Sequence, residues 1–388
     1  MKTALDTGCG VWADLIGQDR LVAQLRRAAA GEDHAMTHAW LFVGPPGSGR
    51  SNAALAFAAA LQCRDQGCGS CSSCIGIRNN SHPDVKLVRT EKLSIGVDEV
   101  RDLVRQSALT PALGRYQILI IEDADRVTER GADALLKSLE EPTPRTLWML
   151  CAPTPDDVVP TIRSRCRKAT LVTPHPAAIS QLLQIRDGID PATADFAARV
   201  AQGHIGRAKS LASDPQAQQR RLAILAIPSK LKTLNACLEA AQELIDTANA
   251  EAAAITSKID AEEMKHLTDT LGVTAGKTRP RHVSALFTDM EEQQKKRSTR
   301  VQRDCLDRVL TEFTSFYRDV LILQTEGQIR LINQEFADSM DTLAKATNPQ
   351  DTIGKLDSIL TCRKELMSNV SPQLALESLL ITLAGLSS

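Results

Sequence analysis

The sequence predicts an α/β P-loop module followed by helical domains, and three observations carry that prediction. A short apolar run, Trp40-Leu41-Phe42-Val43, ends in a Gly/Pro turn and passes into an Ala-rich helical stretch from about Ser51 to Leu61. Strand, glycine loop and helix in that order open an α/β nucleotide-binding domain. Short apolar strands then alternate with helical segments, the pattern of a doubly wound or related sheet. Beyond Pro174 and Pro176 the strand signals stop and helix takes over. The 388 residues suffice for two or three domains. With 43% apolar and 24% charged residues the chain reads as globular, and 3% aromatics with abundant Ala and Leu favour helix over sheet.

Taken in order, a second strand is expected at Val85–Val88, then a helix over Val97–Gln106 whose Asp98 and Glu99 suit the positive end of the helix dipole. Gln117–Ile121 is a near-continuous apolar run, as in a strand buried on both faces of a parallel sheet. Glu122 and Asp123 stand at its carboxyl end. A helix over Asp133–Leu139 stops before Pro142, and strand Thr146–Cys151 leads through a Pro-rich loop to Thr161–Cys166. Residues 177–212 read as a small helical domain punctuated by Gly203 and Gly206. From about residue 216 the chain is helical, with Phe313, Phe316, Tyr317, Val320 and Leu321 on one stripe of a bundle core. The expected domains are therefore 1–173, 174–213 and 214–388.

A net charge of −1 gives the chain as a whole no electrostatic pull on nucleic acid. The basic stretch Lys277–Arg303 holds Arg279, Arg281, Lys295, Lys296, Arg297 and Arg300, but Glu291 and Glu292 interrupt it; it reads as a solvated helix rather than a phosphate-binding surface. No apolar run approaches the ~18 residues of a membrane span. The first six residues lack the apolar stretch of a secretory signal, so a cytoplasmic location is expected.

Gly44-Pro45-Pro46-Gly47-Ser48-Gly49-Arg50-Ser51 matches the phosphate-loop pattern GxxxxGK[ST] except that Arg50 replaces lysine. Gly44, Gly47 and Gly49 would let backbone N–H groups converge on phosphate, and Ser51 would offer its hydroxyl to Mg²⁺. Arg50 is a planar fork where lysine is a point charge, so it either pairs with phosphate or turns away and leaves a loop kept for the fold. Glu122-Asp123 stands where a metal-associated acid and a water-activating acid follow the strand, in the reverse of the usual order. Mg²⁺ accepts either carboxylate, whereas a catalytic base is less tolerant of a missing methylene. ATP with Mg²⁺ is thus a candidate ligand, and turnover by the isolated chain is expected to be weak or absent.

Four of ten cysteines fall within twelve positions, Cys63, Cys68, Cys71 and Cys74. Four thiolates match a closed, tetrahedral, structural Zn²⁺ site, with Gly67 and Gly69 supplying turn freedom. Cys9, Cys151, Cys166, Cys237, Cys305 and Cys362 are scattered and read as packing residues. The seven histidines show no ligand spacing.

The order of these features is distinctive: phosphate loop, cysteine knuckle, Ser81-His82-Pro83-Asp84, Ile95–Arg101, Ala134–Pro142 with its Leu-Leu-Lys-Ser-Leu-Glu-Glu-Pro run, and Ser164-Arg165-Cys166. Over residues 12–212 this resembles the bacterial clamp-loader family of AAA+ proteins, the delta-prime branch and the related gamma/tau motor subunits. The resemblance implies an AAA+ P-loop module with an inserted zinc knuckle, a small helical lid and an all-α collar that joins five subunits into a ring. It implies gamma/tau and delta subunits, a sliding clamp and primed DNA as partners within DNA polymerase III. It also implies that Arg165 acts as an arginine finger toward the nucleotide of a neighbouring subunit. Departures at Arg50, at Glu122-Asp123, at Ala152 where relatives have a sensing threonine, and at Gly206 beside a shifted Arg207 favour the delta-prime branch. The Cys63-x4-Cys68 spacing is shorter than in relatives. The rival readings are an active motor subunit of the gamma/tau kind and a zinc-stabilised interaction scaffold with no nucleotide role.

Overall fold

Strand β1 (Ala39–Val43) and strand β3 (Gln117–Ile121) are buried at every position, as their apolar runs require, and so is β4 (Thr146–Ala152). With β2 (Val85–Val88) and β5 (Arg167–Thr170) they form one parallel sheet in the order β2-β3-β4-β1-β5. The computed structural model describes residues 10–386 except 33–34, 91–93, 271–280 and 369; Cys9, Lys277, Arg279 and the side chain of Arg281 lie outside the described residues.

The sheet is covered on both faces. Trp40, Phe42, Ile118, Ile120 and Met149 pack toward helices α1 (Asp19–Ala30) and α2 (Arg50–Gln62). Leu41, Val43, Leu119, Ile121 and Leu150 pack toward α4 (Val97–Ser107) and α5 (Glu129–Glu140). Alternate residues of each strand thus feed opposite cores, which is the period of two of a pleated strand. Between α2 and β2 the chain makes the cysteine turn and a short α3 (Ser72–Arg78). The fold is a five-stranded parallel α/β sheet whose first strand runs through a glycine loop into α2.

Several boundaries differ from the sequence reading for local reasons. Helix α5 begins four residues earlier than expected, because Thr128 caps it by accepting from the Gly131 N–H at 3.2 Å. Residues 160–163 form a helical turn, α6 (Pro160–Arg163). Strand β5 gave no apolar signal: only Ala169 of its four residues is buried. Three short helices follow, α7 (Pro176–Asp187), α8 (Pro191–Val200) and α9 (Ile205–Ser213). Gly203 breaks the chain before α9 at φ +91°, but Gly206 lies inside α9 and does not punctuate it.

A second compact unit begins at Pro215 and is all-helical in its described residues. It comprises α10 (Pro215–Ala226), α11 (Leu234–Thr270), α12 (Arg281–Gln324), α13 (Ala337–Ala346), α14 (Pro349–Met367) and α15 (Pro372–Leu383). Phe313, Phe316, Tyr317 and Val320 are buried in its core, with Leu321 at the margin. Among described residues, no helix is long and apolar enough to cross a membrane.

Candidate functional site

The phosphate loop leaves β1 at Gly44, whose N–H bonds the Pro153 carbonyl, and enters α2 through Gly49. Gly47 and Gly49 have φ of +78° and +93°, a region that only glycine adopts without strain. Space is left open where a Gly49 side chain would stand, and the buried Ser48 hydroxyl has no hydrogen-bond partner. This cradle fits an anion at a helix N-terminus. The two side chains that would serve a nucleotide are turned inward instead. Arg50 Nη1 donates to the Gly44 carbonyl at 2.9 Å, and Ser51 Oγ donates to Glu122 Oε1 at 2.7 Å.

Glu122 also holds Arg89, which follows β2, through its other oxygen. Asp123 starts a short turn of 3₁₀ helix over Ala124–Arg126. Burial, aided by repulsion from Asp123, raises the Asp125 carboxyl above its usual range, while Arg50 opposes the shift. Cys151 at the end of β4 is buried among these charges, and burial pushes its thiol up. The neighbouring Ala152 is fully buried and offers no hydroxyl toward the loop.

The helices after β5 come directly onto this loop. Ile205 N–H donates to the Gly47 carbonyl at 3.3 Å. The His204 ring lies where a side chain on Gly47 would be, about 2.1 Å from the ideal Cβ position. His204 Nδ1 also caps α9 by accepting from the Arg207 N–H at 3.1 Å.

The cysteine turn brings its four sulfurs together within 4.8 Å of one another. Cys63 Sγ lies 3.7 Å from the sulfurs of Cys68 and Cys71. Four thiolates around a tetrahedral ion at about 2.3 Å would stand roughly 3.8 Å apart, so the geometry fits such an ion. Hydrogen bonds from the Ser70 backbone and hydroxyl lower the Cys68 thiol to about 6, whereas burial pushes the Cys74 thiol up. The turn is anchored to the N-terminal segment: Val11 N–H donates to the Gly67 carbonyl at 3.0 Å, and Trp12 Nε1 approaches the Gln66 carbonyl at 3.4 Å. The four cysteines form a group that could hold a metal ion.

Arg165 stands away from these groups in the chain, just after α6. Its side chain is 36% exposed; Nη1 donates to the Thr161 carbonyl at 2.9 Å, and Nη2 is ion-paired with Glu140 at the end of α5. The described part of the basic stretch is largely consumed within the helical unit. Arg297 is held between Asp260 and Glu263 of α11, Lys296 pairs with Glu292, and Arg300 with Asp304.

Sequence reasoning did not find Arg89 or His204, whose neighbours Glu122 and Gly47 are distant in the chain, and it quoted Glu140 only within a motif, without a role. It quoted Asp84 without a role. That carboxylate accepts from the N–H groups of Ala112, Leu113 and Gly114 at 2.6–2.8 Å, and Gln62 accepts from Arg115 and Tyr116. Together they fix the loop between α4 and β3.

Two family models match the chain. One described as "DNA polymerase III, delta subunit" covers residues 17–175, and one described as "DNA polymerase III, delta subunit, C terminal" covers residues 282–385. Among known proteins, the DNA polymerase III subunit delta' of Bacillus subtilis is 26% identical over 91% of this chain and 92% of its own length. The delta' subunit of Pseudomonas aeruginosa is 37% identical over 36% of this chain and 45% of its own length. The subunit gamma/tau of Mycobacterium bovis is 35% identical over 40% of this chain, which spans 27% of that protein. A solved gamma subunit-related protein of Thermotoga maritima aligns over 94% of this chain and 98% of its own at 16% identity and a TM-score of 0.39. Delta-subunit models at both ends of the chain, and a delta' relative aligned along nine-tenths of it, agree: the chain belongs to the delta-prime family of DNA polymerase III clamp-loader subunits.

Proposed function

We propose that this chain is the stator of a DNA polymerase III clamp loader. It would stand in a five-membered ring with gamma/tau and delta subunits, help load the sliding clamp onto primed DNA, and supply Arg165 to ATP held by its neighbour. The supporting observation is a contrast between two sites. The chain's own phosphate loop has Arg50 and Ser51 half-buried and committed to internal partners, while Arg165, though paired with Glu140, stays exposed with N–H donors to spare. An arginine reaching a neighbour's phosphates offsets the charge that develops there as the terminal phosphoryl group leaves. In this reading the chain's own ATP site turns over weakly or not at all, Glu122-Asp123 being a degenerate acid pair. Residues 1–173, 174–213 and 214–388 act as nucleotide-fold module, lid and collar, in the cytoplasm at the replisome.

The test is Arg165→Ala in the assembled loader, with clamp- and DNA-stimulated ATP turnover measured. Turnover at the adjoining site is expected to fall by about 10³-fold, the scale of other trans arginines. Full turnover would refute the assignment. Robust turnover by the purified chain alone would favour a motor subunit instead. For the cysteine turn the reading is a structural Zn²⁺ held by Cys63, Cys68, Cys71 and Cys74. Four sulfurs close the shell, so the ion would brace the turn and leave no position for substrate.

A further inference from the structure

Arg165 is not a free arm. Its Nη1 donates to the Thr161 carbonyl at 2.9 Å and to Ser164 Oγ at 3.2 Å, while Nη2 is ion-paired with Glu140 Oε1. Glu140 is the last residue of α5, ahead of Glu141 and Pro142, so its carboxylate adds to the negative end of that helix. The guanidinium is thereby held from two directions, by the α6 turn and by the end of α5. These contacts use three of its five N–H donors, leaving two for another acceptor.

An ion pair this exposed, 36% for Arg165 and 48% for Glu140, contributes little to stability. What it does fix is direction. Without Glu140 the guanidinium keeps only its Nη1 anchors and can rotate about them.

We propose that Glu140 is a positioning residue for Arg165, holding the guanidinium in the orientation from which it meets a phosphate of the neighbouring subunit. This rests on the trans-arginine reading above. Glu140 itself touches no nucleotide in this scheme. Its effect passes through the geometry of Arg165, and misplacement by an ångström is costly at a reacting centre.

The experiment uses the assembled loader carrying Arg165→Ala, Glu140→Ala, Glu140→Gln, or Arg165→Ala with Glu140→Ala, and measures clamp- and DNA-stimulated kcat and KM for ATP. Glu140→Ala is expected to lower kcat roughly tenfold with KM unchanged. Glu140→Gln, of equal length and still an acceptor, is expected to recover most of it. Glu140→Ala is expected to add nothing once Arg165 is gone, because its effect has no other route. Unchanged or raised kcat in Glu140→Ala beside an impaired Arg165→Ala would overturn the proposal, and so would a further loss in the double variant. Full activity in Arg165→Ala would remove the reading beneath it.

Discussion

Ser51 Oγ donates a 2.7 Å hydrogen bond to Glu122 Oε1, joining the last residue of the phosphate loop to the acid at the end of β3. Glu122 in turn holds Arg89, and Arg50 folds back on the Gly44 carbonyl. The loop keeps the backbone of an anion cradle while the Arg50 and Ser51 side chains are held from within. A hydrogen bond from a charged donor is worth about 1.5–3 kcal/mol, which Arg50 must give up to reach a phosphate.

Arg50→Lys is therefore expected to tighten nucleotide binding. Lysine presents a compact charge on a flexible stem and is less suited to the Gly44 carbonyl than the planar fork. Titration of the isolated chain with Mg²⁺-ATP should show affinity rising about tenfold. Turnover should stay negligible, since the Glu122-Asp123 pair is unchanged. Equal or weaker binding by the lysine variant would mean that the Gly44 bond does not govern the loop.

Removing the proposed Zn²⁺ should be visible at Trp12. Its indole packs against the cysteine turn and is 3% exposed, and Gly67 approaches both Val11 and Trp12. Cys71→Ser, or a strong chelator on the native chain, is expected to release about one zinc per chain and shift Trp12 emission to the red. The fluorescence readout should be made in a chain with Trp40 and Trp148 replaced by Phe. Metal-free protein with unchanged Trp12 emission would show that the turn holds itself together.

Much of the α/β unit was legible because its signals are local. Strands β1, β3 and β4 announce themselves since both faces are buried, and the cysteine spacing carries its chemistry within twelve residues. Strand β5 was not legible: Arg167, Lys168 and Thr170 face solvent at a sheet edge, and one buried alanine makes no pattern. The site's partners were hidden for a different reason. Arg89 and Glu122 lie 33 positions apart, and Glu140 and Arg165 lie 25 apart. Only the fold brings such single charges together, and no sequence period marks them.

Acid should report on Asp84, which is 2% exposed. Burial alone would raise its carboxyl, but the three backbone N–H bonds and the nearby His82 outweigh it and hold it below the usual carboxylate range. With its folded value depressed, the stabilisation is present above the unfolded value of about 4 and is lost as pH falls through the folded value. Asp84→Ala leaves three N–H groups without their acceptor and should cost about 3 kcal/mol at neutral pH. The gap between variant and native chain should narrow below pH ~4 in urea unfolding followed by circular dichroism. A gap that stays constant into acid would remove the charged carboxylate from the explanation.

In the helical unit the decisive residue is Arg221, 2% exposed on α10. Its Nε lies 3.4 Å from Glu312 Oε2 of α12, and its Nη2 donates to Asn333 Oδ1. Asn333 is fixed by Asp319 and Ser315, so one guanidinium ties α10 to α12 and to the chain that follows it. Arg221→Ala takes from the buried Glu312 carboxylate its ion-pair partner on α10 and should destabilise this unit by about 3–5 kcal/mol. Arg221→Met with Glu312→Leu removes both charges and should recover most of that loss, because the desolvation cost disappears with the attraction. Unfolding of both variants, followed through the helical signal, separates the outcomes: a single variant as stable as the double would mean that water reaches Glu312 and screens it.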